Sequence, residues 1–123
     1  MNEASSLTAL PRRIDRNTRR SRAVVHGGTI HFAGQVADNL DADATQQMTE
    51  TLARIDRLLA EAGSGRSKVL SVTIWLRDMA DYDAVNAVWD SWIDQENPPA
   101  RACAQVIMAD PRIRVELLPV AAL

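Results

Sequence analysis

A chain of 123 residues with 46% hydrophobic residues and a formal net charge of −2 is long enough for one self-supporting core and too short for two. Its single cysteine, Cys103, excludes an intramolecular disulfide framework, and a reducing cytoplasm is the simplest setting. No apolar run approaches the roughly 18–20 residues needed to span a bilayer, and Met1–Arg13 lacks the charged-then-apolar order of a signal peptide.

The charge is unevenly spread. Lys68 is the only lysine among 14 basic residues, and six of the arginines fall between Arg12 and Arg22. Residues 1–22 therefore carry a net +4, and residues 23–123 a net −6. A basic segment ahead of an acidic body is one mark of nucleic-acid binding. Here no aromatic residues interleave with the arginines, which disfavours a base-stacking surface. A solvated strand, or a segment facing acidic surface on its own or a neighbouring chain, is the preferred expectation.

Residues 1–11 have no clear period and are expected to form a flexible N-terminus, leaving 12–123 as one domain. Arg12–Arg16 reads as an edge strand, because its charges suit an unpaired edge. Ala23–His26 and Thr29–Ala33 are β-prone runs separated by Gly27-Gly28, the pattern of a two-residue hairpin. Met48, Leu52, Ile55, Leu59 and Ala62 recur at spacings of four and three, predicting a helix over 43–62. Asp43 with Gln46 fits a capping box, with Asp41 as a rival cap, and Gly63 fits a left-handed stop.

Ser67–Leu76 alternates, with Leu70, Val72, Ile74 and Leu76 predicted inward. Tyr82, Val85, Trp89 and Trp92 predict a second helix over 81–94, with Asp81 as its N-cap. Pro98-Pro99 then forces an extended approach to a strand over 101–108. Its alternation puts Arg101, Cys103, Gln105 and Ile107 on one face. Arg112–Val120 alternates in turn, with Ile113, Val115 and Leu117 inward.

The order β-β-β-α-β-α-β-β predicts an α+β fold, a mixed sheet with two helices on one face. The other face is expected to carry Trp75, Cys103, Ile107 and Leu118. So apolar a face meets another subunit more readily than water, which predicts a homo-oligomer.

Few residues carry chemistry. His26 and His31 lie five apart with no second cysteine and no His-x-x-x-His helix, so no metal site is expected. Gly27-Gly28 and Gly63-Ser64-Gly65 are too sparse for a phosphate loop. Cys103 is more readily a small packing residue than a nucleophile, although Arg101 two residues away would favour its thiolate. Arg101 opens a strand in an otherwise small and apolar segment, and Glu116 lies on the next strand. An arginine so placed is suited to gripping a carboxylate with two parallel hydrogen bonds, and a glutamate beside it to moving a proton. From spacing alone, a structural Arg101–Glu116 ion pair is the favoured expectation.

Pro99-Ala100-Arg101-Ala102-Cys103-Ala104-Gln105-Val106, with Val115-Glu116-Leu117 and Val120-Ala121, resembles the C-terminal signature of the Rid (YjgF-like) family of reactive-intermediate deaminases. Phe32-Ala33-Gly34-Gln35-Val36 resembles that family's Thr-Ser-Gly-Gln segment, and Asp81–Asn86 the start of its second helix. Arg13-Ile14-Asp15, Asn39–Ala44 and Trp89-Asp90-Ser91-Trp92 are similar to the YoaB-like branch. The resemblance spans roughly residues 12–122.

It implies a chorismate-mutase-like fold and a homotrimer with a barrel-like core and three clefts between subunits. It implies a cofactor-independent hydrolase that converts 2-imino or enamino acids to 2-keto acids and ammonia. By resemblance Arg101 binds the substrate carboxylate and Glu116 serves catalysis, with Asn86, Cys103, Ala33 and Gly34 lining the site. Two departures stand out. Ala33 occupies the place of a serine, and Asn17–Arg22 replaces a segment bearing a tyrosine. The arginine cluster then belongs to the first strand and to a loop at the cleft mouth, where it favours anionic ligands. The alternatives are a trimeric protein that binds a small carboxylate metabolite without turnover and, less favoured, RNA binding or cleavage.

Overall fold

The computed structural model describes residues 10–123; the expected flexible N-terminus lies mostly outside them. Six strands form one sheet: β1 (Arg12–Arg16), β2 (Ser21–His26), β3 (Thr29–Phe32), β4 (Val69–Leu76), β5 (Ala100–Gln105) and β6 (Val115–Ala122). Two helices, α1 (Ala44–Ala62) and α2 (Tyr82–Trp92), complete the α+β architecture. The strand order is β1-β2-β3-β6-β4-β5. Only β4 and β5 are parallel; every other neighbouring pair is antiparallel.

This order places both helices on one face. The connection from β3 through α1 to β4 and that from β4 through α2 to β5 step in the same direction along the sheet. Right-handed crossovers stepping the same way must lie on the same side. The core forms between them and includes Ile30, Met48, Ile55, Leu59, Ile74, Val85 and Leu117.

Local signals behave as elementary chemistry dictates. Gly27 and Gly28 have φ of 60° and 80°, the paired positive values that a twisted two-residue hairpin needs. Asp43 caps α1 by accepting from the Gln46 backbone N–H at 2.9 Å. The Gln46 side chain donates forward to Glu50 at 2.6 Å instead of returning to the cap, so half of the expected capping box forms. Gly63 ends α1 at φ 86°, and the Ser64 N–H bonds back to the Leu59 carbonyl at 2.8 Å. Arg12 adds to this end by donating to the Ala62 carbonyl at 3.1 Å.

Four expectations are corrected. A bulge between Val69 and Ser71 shifts the β4 register; Val69 is buried and Leu70 is 51% exposed, because one extra residue reverses the facing of what precedes it. Asp81 stands at the N-cap position of α2, but its side chain makes no capping hydrogen bond there. It closes a 3-10 turn at Met79–Asp81 capped by Asp78, which accepts from the Ala80 N–H at 2.9 Å. Helix α2 ends at Trp92, since Ile93 is extended. β5 ends at Gln105, and Ile107 stands wholly in solvent while Met108 turns inward at 9% exposure.

Gln47 is a buried polar residue on α1 that the apolar stripe did not flag. Its amide donates to the carbonyls of Leu40, Ala42 and Arg112 at 3.0–3.1 Å. Its oxygen accepts from the Arg114 N–H at 2.9 Å. One fully buried side chain thereby ties the loop before α1 to the loop before β6. Among the described residues, no helix is long and apolar enough to cross a membrane.

Candidate functional site

The residues singled out in the sequence fall into two groups on opposite faces of the sheet. In β5, Arg101 and Cys103 pair in register with Val72 and Ile74, both buried beneath the helices. Arg101 and Cys103 therefore face the helix layer. Cys103 packs against the core, which corrects its expected place beside Trp75. The neighbour of Trp75 is Ala104.

Arg101 reaches α2. It donates through Nη2 to the Asn86 side-chain oxygen, and its guanidinium carbon lies 5.3 Å from the centre of the Trp89 ring. Asn86 and Trp89 are three residues apart, so they share one side of α2. No carboxylate among the described residues pairs with Arg101, although it is half-buried. Such a guanidinium retains N–H donors for an incoming anion. Burial raises the Cys103 thiol above its ordinary pKa, and the nearby Arg101 charge only partly offsets this. Cys103 is accordingly a protonated packing group at neutral pH, not a thiolate.

Glu116 lies on the opposite face. It pairs with Trp75 across β6 and β4, while its neighbours Val115 and Leu117 are fully buried on the helix side. The expected structural ion pair between Arg101 and Glu116 does not form, and within one chain the two do not share a site. The Glu116 carboxylate rests directly against Gly34, and a Cβ at residue 34 would come within 1.9 Å of its Oε2, far closer than two such atoms can approach. Burial without a compensating partner raises its pKa above the ordinary carboxylate value. Beside it opens a cleft of about 500 Å³ lined by Trp75, Val106, Ile107, Met108, Ala109 and Glu116.

Gln35 builds the turn that brings Gly34 to this place. Its backbone exchanges hydrogen bonds with Leu117 at 2.8 and 3.0 Å. Its buried amide donates to the Ala33 carbonyl at 2.9 Å and the Arg22 carbonyl at 3.3 Å. Ala33, half-buried beside it, presents a methyl group and no hydroxyl.

His26 and His31 fall on the same face through the β2–β3 register, both exposed; among the described residues no group of three or more potential ligands gathers there. The arginine cluster is on β1, the β1–β2 turn and the start of β2, and β1 is the edge opposite β5. Within one chain it is thus far from Arg101. Arg13, Arg16 and Arg19 are exposed. Trp89 was legible only as a core residue; its contact with Arg101 follows from the parallel β4–β5 pairing.

The chain is thus an α+β protein whose mixed sheet separates an arginine with no carboxylate partner among the described residues from a glutamate seated on a glycine. The family described as Endoribonuclease L-PSP matches residues 11–123, and the chain belongs to this family, the YjgF/Rid family. It is 42% identical over 110 residues to the RutC family protein YoaB of Escherichia coli strain K12, covering 89% of this chain and 96% of that protein. It is 38% identical over 79 residues to the 3-aminoacrylate deaminase RutC of Acinetobacter baylyi, covering 64% of this chain and 62% of that protein. The crystal structure of a YjgF family member from Neisseria meningitidis superposes with a TM-score of 0.88 at 42% identity, covering 91% of this chain and 93% of that one.

Proposed function

We propose that this protein is a cofactor-independent deaminase that hydrolyses 2-imino or enamino acids, acting as a homotrimer of chorismate-mutase-like subunits. The observation that carries the reading is the half-buried Arg101 guanidinium, which lacks any carboxylate partner among the described residues. A substrate carboxylate completes it by accepting two parallel hydrogen bonds.

Arg101 and Glu116 occupy opposite sheet faces, so one substrate reaches both only between two copies. Arg101, Asn86 and Cys103 of one copy then meet Ala33, Gly34 and Glu116 of the next. The face without helices supports this assembly, since it carries Trp75, Leu118 and Val120 in partial contact with solvent. In the reaction, water adds to the imine carbon, the carbon–nitrogen bond breaks, and ammonia leaves with a 2-keto acid as the other product. An enamine first takes a proton on carbon to become the imine. Glu116, with its raised pKa, is suited to holding and returning that proton. Imines hydrolyse unaided, so orientation of the carboxylate and of water supplies the modest acceleration needed. The activity printed for the Acinetobacter baylyi relative, on 3-aminoacrylate, belongs to the same chemical class.

The test generates 2-aminoacrylate from serine with a pyridoxal-phosphate dehydratase and follows pyruvate and ammonia. Wild type is expected to exceed the buffer rate and Arg101→Ala to fall back to it. Equal rates for wild type, Arg101→Ala and buffer defeat the deaminase reading. Ala33, which offers no hydroxyl to place water, favours a second reading, carboxylate binding without turnover. Calorimetric binding of pyruvate with no ammonia release would select it.

A further inference from the structure

Helix α2 carries two tryptophans three residues apart, Trp89 and Trp92, with ring centres 5.7 Å apart. Each supports an arginine. Arg66 lies 5.1 Å above Trp92, and Arg101 lies 5.3 Å above Trp89. The two stacks differ in what closes the guanidinium. Arg66 donates through Nε and Nη2 to the two Asp56 oxygens at 2.9 and 2.8 Å and through Nη1 to the Trp92 carbonyl at 2.9 Å. Trp92 donates to the same carboxylate at 3.0 Å. That guanidinium is neutralised, and all three of its nitrogens are engaged.

Arg101 has the same aromatic support and, among the described residues, no acid. Its one side-chain hydrogen bond among the described residues goes to the neutral oxygen of Asn86. A π face attracts a cation without occupying its in-plane N–H donors and without cancelling its charge. A carboxylate in the same place does both. Trp89 is 6% exposed and packed within the core, and close packing opposes any swing of its ring away from the guanidinium.

We infer that Trp89 is the positioning residue for Arg101. Its ring holds the guanidinium against α2, Asn86 fixes one edge, and the remaining donors stay charged and open toward a ligand carboxylate. The inference rests on the carboxylate-site reading of Arg101. The Asp56–Arg66–Trp92 cluster is the internal contrast, the same stack converted to a structural clamp by one acid.

The experiment measures calorimetric affinities of the full-length protein for pyruvate and for its uncharged analogue pyruvamide. Wild type is expected to bind pyruvate more tightly than pyruvamide. Trp89→Phe keeps an aromatic face and is expected to keep that preference. Trp89→Met keeps much of the volume and is expected to weaken pyruvate by about tenfold, with little change for pyruvamide. Asn86→Asp, at a half-buried position on α2, places beside Arg101 the acid that Arg66 already has. It is expected to weaken pyruvate by about tenfold or more. Arg66→Leu is expected to lower the melting temperature while leaving the pyruvate-to-pyruvamide ratio unchanged. A Trp89→Met protein with an unchanged ratio overturns the inference and leaves the carboxylate site standing. The inference is equally overturned if Asn86→Asp binds pyruvate as wild type does. Wild type that binds no pyruvate overturns the carboxylate-site reading itself, and the inference with it.

Discussion

Glu116 sits against Gly34 with no room for even one methyl group between them. Gly34 does not have a positive φ, so alanine there introduces no backbone strain. What it disturbs is the carboxylate, at the end of a side chain that can swing. Gly34→Ala is expected to fold with a melting temperature within a few degrees of wild type and to lose about tenfold or more in imine hydrolysis, the equivalent of 1.4 kcal/mol in the barrier. Parallel thermal unfolding and ammonia-release assays check both halves. Unchanged turnover would place Glu116 outside the chemistry.

The raised pKa of Glu116 carries a pH signature. Its fold favours the protonated form, so the folded chain binds more protons than the unfolded one above pH 4.5, the ordinary value. Stability must then fall as pH rises through the folded-state value. Glu116→Gln removes the titration. The mutant is expected to gain on wild type in melting temperature between pH 4.5 and neutrality. A difference that stays flat over that range contradicts the assignment.

Leu118 faces the side of the sheet without helices and pairs with Thr73. The proposed trimer would bury that face. Leu118→Asp is expected to weaken assembly by roughly 2 kcal/mol or more per copy, from the lost apolar burial alone. Sedimentation velocity should show wild type as a trimer and the mutant as a smaller species. Wild type that sediments as a monomer would remove the proposed joining of Arg101 to Glu116.

Gln47 forms no hydrogen bond to Arg101 or Glu116 among the described residues, yet it satisfies three carbonyls and one N–H in two loops. Gln47→Leu leaves those groups buried without partners. It is expected to cost about 2–3 kcal/mol in unfolding free energy, measured by urea denaturation. Its effect on pyruvate affinity is expected to be small, since Arg101 is anchored to α2 and not to these loops.

Much of this was legible in the sequence, because periodicity reports which side of an element is buried. The α1 stripe, the Gly27-Gly28 hairpin, the Asp43 cap and the inward set Ile113, Val115 and Leu117 each depend on residues within a few positions of one another. Local sterics and local hydrogen bonds suffice to specify them. The motif around Arg101 and the Glu116 segment likewise marked the chain as a member of its family before any fold was known.

Facing across strands is different. Alternation divides β5 into two sets but does not say which set lies under the helices. The parallel pairing of Val72 with Arg101 and Ile74 with Cys103 decides it, and that pairing depends on residues about thirty positions apart meeting across a crossover helix. The same kind of long-range registry moved Leu70 outward through a bulge and let Gln47 reach Arg112 and Arg114. What the chain alone determined was the elements, the family and the identity of Arg101 and Glu116 as the residues to watch. Only the tertiary structure separated those two by the thickness of the sheet and set Trp89 behind Arg101. Relations between distant strands are settled by which pairing buries the most apolar surface, and no local pattern records that outcome.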